Sequence, residues 1–175
     1  MTSSTDFFDL FHCSAWRLEL LPSYGPDEAA FRAHQERRPL SPAEQARRER
    51  WRSGVAEATR AGKRVGRVHV VSRPLTDYLR WQLGVYAGSV AAGEDVRIAD
   101  RGAHPELASL TRDFWLFDAE LGVAASVLLM DYEPDGRFLG SVHTNDPGEL
   151  VRYKREREVA MACSVPLSEF SAVAA

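Results

Sequence analysis

The feature that most constrains this chain is a strand–helix–strand run in its middle. Residues 65–72 carry Val68, Val70 and Val71 in a strand-like stretch. Pro74 is expected to open a helix bearing Leu75, Tyr78, Leu79, Leu83, Tyr86 and Val90, which Gly93 ends. Residues 95–100 alternate again, with Val96 and Ile98 inward and Arg97 outward. Two strands joined by a helical crossover prefer to lie parallel, with a right-handed connection. The expected class is therefore α/β (α+β), with a single mixed sheet and flanking helices.

The remaining segments attach to that unit. Residues 15–21 alternate apolar side chains with Arg17 and Glu19, the pattern of a strand with one wet face. Pro22, Gly25 and Pro26 end it, and residues 27–36 read as a short helix. Ser41-Pro42-Ala43-Glu44 is a helix start: Ser caps the third helical amide, Glu44 reaches back, and Pro loses no bond at the first position. That helix should run to about Arg60, with Gly62 as its stop. Residues 113–118, 123–132 and 137–143 read as three consecutive strands. The turn Pro134-Asp135-Gly136 should join the last two antiparallel. Asp146-Pro147-Gly148-Glu149 then starts a final helix to about Cys163. A length of 175 residues fits one domain, with residues 1–40 as an N-terminal strand–helix annex and 41–170 as the main α/β body.

Charge is unevenly spread. Residues 37–67 hold ten Lys/Arg against three Glu, a net of +7, whereas residues 94–150 hold twelve Asp/Glu against four Arg, a net of −8. The overall charge of −3 argues against binding nucleic acid with the whole surface. The two cysteines, Cys13 and Cys163, form no CxxC pair and fit free thiols in a reducing cytosol. Residues 1–10 lack the pattern of a signal peptide, and no apolar run is long enough to span a bilayer. The expected location is the cytoplasm, with no membrane association.

No catalytic motif stands out. There is no GxSxG elbow, and the Gly-rich segment at residues 61–66 precedes a strand, the reverse of a P-loop. None of the five histidines belongs to an HExxH, HxH or HxxxH pair, which leaves metal binding only a scattered-ligand route; no metal or cofactor is expected. The clearest constellation joins Arg67, Arg97 and Arg101 of the strand–helix–strand unit with Trp115 of the next strand. At one sheet edge, arginines beside an aromatic ring suit an anionic or planar ligand. Tyr78 and Arg80 would support that edge from the crossover helix, and Asp113 and Asp118 would orient the arginines. Arg47, Arg48 and Arg52 on the basic helix form a partner-docking face.

Four segments carry a family resemblance: Trp16-Arg17-Leu18-Glu19, Pro74-Leu75-Thr76-Asp77-Tyr78-Leu79-Arg80, Ala92-Gly93-Glu94-Asp95-Val96-Arg97 and Asp113-Phe114-Trp115-Leu116-Phe117-Asp118. Together they resemble a family of uncharacterised actinobacterial proteins over about residues 7–170. Members are often encoded beside helix-turn-helix regulators and their small companion proteins, which implies a regulatory or accessory role. The element order also resembles one half of a phospholipase-D-like domain. The catalytic signature of that fold is HxK followed by Asp. Here His69 is followed by Val70-Val71 and His143 by Thr144-Asn145, so the resemblance does not extend to the catalytic residues.

These readings favour a non-catalytic cytoplasmic regulatory or accessory module. It would bind a partner protein, such as a helix-turn-helix regulator or its small companion, and an anionic small molecule. The first alternative is a small hydrolase or transferase acting on an anionic, phosphorylated substrate with His69 as base; otherwise His69 is a satisfied structural histidine. The second is DNA binding through the basic helix at residues 41–60, although nucleic acid is the less expected partner.

Overall fold

The computed structural model describes residues 6–171. Its centre is β1 (Ser14–Glu19), which the sequence placed in an annex. β1 pairs in parallel with β2 (Arg64–Val71), and β2 pairs in parallel with β3 (Asp95–Asp100), as the crossover rule requires. On its other side β1 meets β4 (Asp113–Phe117) antiparallel. β5 (Ser126–Tyr132) and β6 (Phe138–Thr144) continue outward as antiparallel neighbours. A short β7 (Ser164–Pro166) closes the opposite edge against β3. The described residues thus form one mixed sheet in the order β6-β5-β4-β1-β2-β3-β7.

Helices cover both faces. α4 (Pro147–Ala162) lies on one face, where Tyr153 and Ala160 join Trp16, Leu18, Val68, Val70, Phe114 and Leu116. The opposite face carries α1 (Glu28–Gln35), α2 (Pro42–Arg60) and α3 (Asp77–Ala91). There the core divides in two. Tyr24, Val71, Leu79, Tyr86 and Ile98 form one cluster with α3. Phe11, Val55, Ala58, Trp115 and Phe117 form another with α2.

Local rules account for most element ends. Ser41 and Glu44 form the expected capping box at α2. Gly136 adopts φ 89° in the β5–β6 turn, a conformation that glycine reaches without a Cβ clash. Pro74 does not open α3. The Thr76 hydroxyl accepts from the Leu79 N–H at 3.1 Å, and the helix begins at Asp77. The segment at 122–124 is a 3-10 turn, so β5 starts at Ser126, three residues later than the alternation suggests. β7 is only three residues long, too short to leave a periodic signal.

The wet face expected on β1 is absent. A strand between two neighbours, with helices above and below, is covered on both sides. Arg17 and Glu19 point under α2 and α3, and Glu19 is only 3% exposed. Two charged side chains therefore sit where an apolar pair would ordinarily sit.

Candidate functional site

The sheet register assembles the site. Arg17 is directly opposite Arg67 on β2 and Trp115 on β4, so all three share one face. Glu19, two residues along β1, shares that face and is opposite His69. Unpaired, these charges would be costly to bury, and each finds partners. The Arg67 side chain donates through Nε to Glu94 Oε1 at 2.5 Å and through Nη1 to Glu19 Oε2 at 3.0 Å. Arg17 Nε lies 3.1 Å from Glu19 Oε1, and its Nη2 donates to the Tyr132 hydroxyl at 3.2 Å. The Tyr86 hydroxyl donates to Glu19 at 2.7 Å, and Trp51 Nε1 donates to Glu94 at 3.0 Å. Two arginines and two glutamates thus form a neutral, buried floor.

Aromatic rings enclose the guanidinium groups. Arg17 Cζ lies 5.5 Å from the ring centroids of both Tyr24 and Trp115. Arg67 Cζ lies 5.0 Å from the Tyr86 ring and 5.6 Å from the Trp51 ring. At such distances the ring quadrupole supports the cation. Burial works against the charge on both arginines, but their carboxylate neighbours outweigh it and their pKa values are raised. Burial likewise opposes the Glu19 carboxylate, yet Arg17 and Arg67 hold its pKa below the usual range.

Above the floor opens a pocket of about 420 Å³, large enough for a small molecule. Its walls include Trp51, Trp115, Tyr24, Tyr132, Met130 and Phe138. Arg47, Arg48 and Arg52 project to it from α2. Arg47 donates to Asp27 at 2.8 Å, and Arg48 lies 5.2 Å from the Trp81 ring. Burial, and then the like charges of Arg52 and Arg47 against the opposing pull of Asp27, lowers the pKa of Arg48. Arg52 has no hydrogen-bond or ion-pair partner among the described residues. Gln82 of α3 also lines the pocket; it is buried, and its Oε1 has no hydrogen-bond partner. Such an orphaned acceptor is uncommon in a folded interior and calls for a donor.

The sequence-derived ligand residues divide. Arg67 and Trp115 line the pocket. Arg97 does not join them: the register pairs Arg67 with Val96, one residue away, so Arg97 faces the other side of the sheet. There it donates to the Ser164 side chain and carbonyl at 2.9 and 2.8 Å. Arg101 follows β3 and donates to the Leu107 carbonyl at 2.8 Å. Tyr78 packs against Phe31 and Trp81 and donates to Asp27 at 3.2 Å. Arg80 is exposed, bonded to Asp77 and to the Leu75 carbonyl.

Neither expected orienting aspartate hydrogen-bonds an arginine. Asp113 accepts from the Tyr24 hydroxyl at 2.5 Å and from the Leu20 N–H at 3.1 Å, so it acts on Arg17 by charge across space and through the Tyr24 ring, without a hydrogen bond to it. Asp118, at φ 50°, accepts from the backbone N–H groups of His12, Cys13 and Ser14 at 2.8, 2.6 and 3.0 Å. It clamps the start of β1. Arg47, Arg48 and Arg52, expected on a partner-docking face, line the pocket.

His69 is fully buried and does not line the pocket. Its Nε2 faces the Leu21 carbonyl at 3.0 Å, where the ring must donate. In the neutral ring Nδ1 is then an acceptor, 2.9 Å from the Tyr86 hydroxyl. That single phenolic proton faces both His69 and Glu19. Burial lowers the His69 pKa, which favours the neutral ring.

Arg17, Glu19, Gln82, Tyr86 and Glu94 were not singled out from the sequence as site residues. For Arg17 and Glu19 the signal was present: two charges at spacing two on the strand that becomes central must find buried partners. Glu94 and Gln82 carry no local signal, because only the packing of α2 and α3 brings them to β2.

A family model described as a domain of unknown function, DUF6879, matches residues 2–172. The chain belongs to the DUF6879 family. No curated protein and no solved structure matches this DUF6879 chain. Among its described residues, no helix is long and apolar enough to cross a membrane.

Proposed function

We propose that this DUF6879 domain is a ligand-binding accessory module, whose pocket under α2 and α3 takes a small molecule with a planar body and an anionic group. The observation that carries the proposal is the buried, unpartnered Gln82 Oε1 in a pocket walled by tryptophan and tyrosine and bordered by three arginines. The neutral floor does not attract charge by itself. The arginines of α2 supply the positive field, and unpaired Arg52 is the cation free to meet an anion. The rings supply apolar contact and stacking area.

Binding is favoured over acid–base catalysis because His69 presents neither ring nitrogen to the pocket. On this reading a kinship with the phospholipase-D-like half domain is one of architecture. The partner implied by the family resemblance, a helix-turn-helix regulator or its small companion, belongs to the same proposal: ligand occupancy would set the state in which the cytoplasmic module meets it.

Trp51 and Trp115 provide the assay. Fluorescence titrations would compare AMP, GMP, UMP and indole-3-acetate with glucose 6-phosphate, which lacks a planar body. The expected result is saturable quenching by at least one planar anion, weakened in Arg52→Ala. If no planar anion quenches, or if quenching is the same in Arg52→Ala, the reading fails.

A further inference from the structure

We infer that His104, Glu106 and Cys163 form a Zn²⁺ site where the β3–β4 connection meets the end of α4. An imidazole nitrogen, a carboxylate oxygen and the thiol sulfur all lie within 4.8 Å of one another. None of the three side chains has a hydrogen-bond or ion-pair partner among the described residues. Three ligand-type groups from distant segments thus converge with no task in holding the fold. The sequence left metal binding only this scattered route.

Both segments are held in place by the two arginines that failed to reach the pocket. Arg97 grips the side chain and carbonyl of Ser164, the residue after Cys163, and Ser164 Oγ donates to the Met161 carbonyl at 3.0 Å. Arg101 holds the Leu107 carbonyl, and Leu107 is fully buried beneath the 3-10 turn Pro105–Ser109. Donors on fixed backbone need little ordering when a metal arrives.

The donor chemistry selects the ion. Thiolate with imidazole suits borderline-soft Zn²⁺, whereas Mg²⁺ and Ca²⁺ prefer sets made of oxygen. Zinc bonds of about 2.0–2.3 Å in a tetrahedron place ligand atoms roughly 3.3–3.8 Å apart. Side-chain rotations of about 1 Å would close the present spacing to that range. Glu106 is exposed and the other two are half-buried, so such rotation is open to them. One thiolate and one carboxylate balance the charge of the dication. Three protein ligands leave one coordination position for solvent. The bound ion would tie the end of α4, and with it β7, to the connection after β3.

The test uses the full chain, stripped with EDTA and titrated with Zn²⁺ by calorimetry and with Co²⁺ by absorption. One equivalent should bind, and Co²⁺ should give a thiolate-to-metal charge-transfer band. Cys163→Ser should abolish the band, and Cys163→Ser or His104→Ala should weaken Zn²⁺ binding by about 100-fold or more, above the loss typical of an outer-shell partner. Glu106→Gln should weaken it less, and Cys13→Ser should leave it unchanged. Circular dichroism would check that each variant folds. If Cys163→Ser does not fold, the wild-type band and its loss in His104→Ala decide. Absence of saturable one-equivalent binding, a Co²⁺ spectrum without the thiolate band, or binding that follows Cys13 would overturn the site.

Discussion

Replacing Glu19 with Gln keeps the shape of the side chain and removes one negative charge from the pocket floor. Arg17 then loses the carboxylate 3.1 Å away, and Arg67 keeps only Glu94. Arg17 has no other carboxylate within ion-pair distance among the described residues, and its side chain is only 14% exposed. Removing one partner of a buried ion pair costs about 3–5 kcal/mol, because the other charge stays buried without compensation. At about 2–4 °C per kcal/mol for a chain of this size, Tm should fall by about 6–20 °C. Urea unfolding at pH 7, followed by circular dichroism, reads the loss directly, and an unchanged m-value would show that the unfolded state is not altered. Glu19→Gln combined with Arg17→Met should recover part of the loss, since the stranded cation goes with its partner. The variant should also flatten the acid limb of stability. The native pKa of Glu19 is lowered, so its contribution is full above the unfolded carboxyl value and is lost as pH falls through the native one. A loss below about 1 kcal/mol, the scale of a surface pair, would refute the buried floor.

Asp113 should act in the opposite sense. Burial, against the pull of Arg17 and the Tyr24 hydrogen bond, raises its pKa from 3.8 to about 6. The native state then holds more protons between those values, so this group costs about 3 kcal/mol as pH rises from about 4 to about 6. Asp113→Asn should remove that slope, measured by urea unfolding at pH 4, 5, 6 and 7. Asp118→Ala strands three backbone N–H groups and should cost about 3 kcal/mol at pH 7; the same unfolding assay would show it, and a near-zero loss would remove the clamp on β1. Gly54→Ala should lower Tm despite a helix-propensity gain of about 1 kcal/mol, because overpacking costs about 1–3 kcal/mol. A Cβ there would stand 2.0 Å from Phe8 Cε2, and a raised Tm would mean that the ring moves aside freely.

The sequence disclosed the elements better than their company. Capping residues and the strand–helix–strand rule placed α2, β2, α3 and β3 because those signals are local. The position of β1 was not local. Alternation identified the strand, but only the pairing with β2 and β4 makes it central and turns its wet face into a buried ionic one. The same limit governed the site. Arg67 and Trp115 were rightly grouped, for they share one face of the sheet on either side of β1. Arg97 was grouped with them wrongly because a register of one residue reverses the face, and register is set by the whole sheet. Gln82 and Tyr86 reach the pocket, and Glu94 reaches Arg67, only through the packing of α3 and its end against β2.

In the proposed function, the unpartnered Gln82 amide oxygen and the α2 arginines serve a small-molecule ligand. The most direct measurement is a thermal-shift titration of wild type and Gln82→Leu with AMP, GMP, UMP and indole-3-acetate. A ligand that binds only the native state raises Tm by mass action. At least one planar anion should raise the wild-type Tm in a concentration-dependent way. Gln82→Leu should abolish the shift while the stability of the free protein changes by less than about 1 kcal/mol. Equal shifts in the two proteins, or no shift in the wild type, would contradict the proposed function.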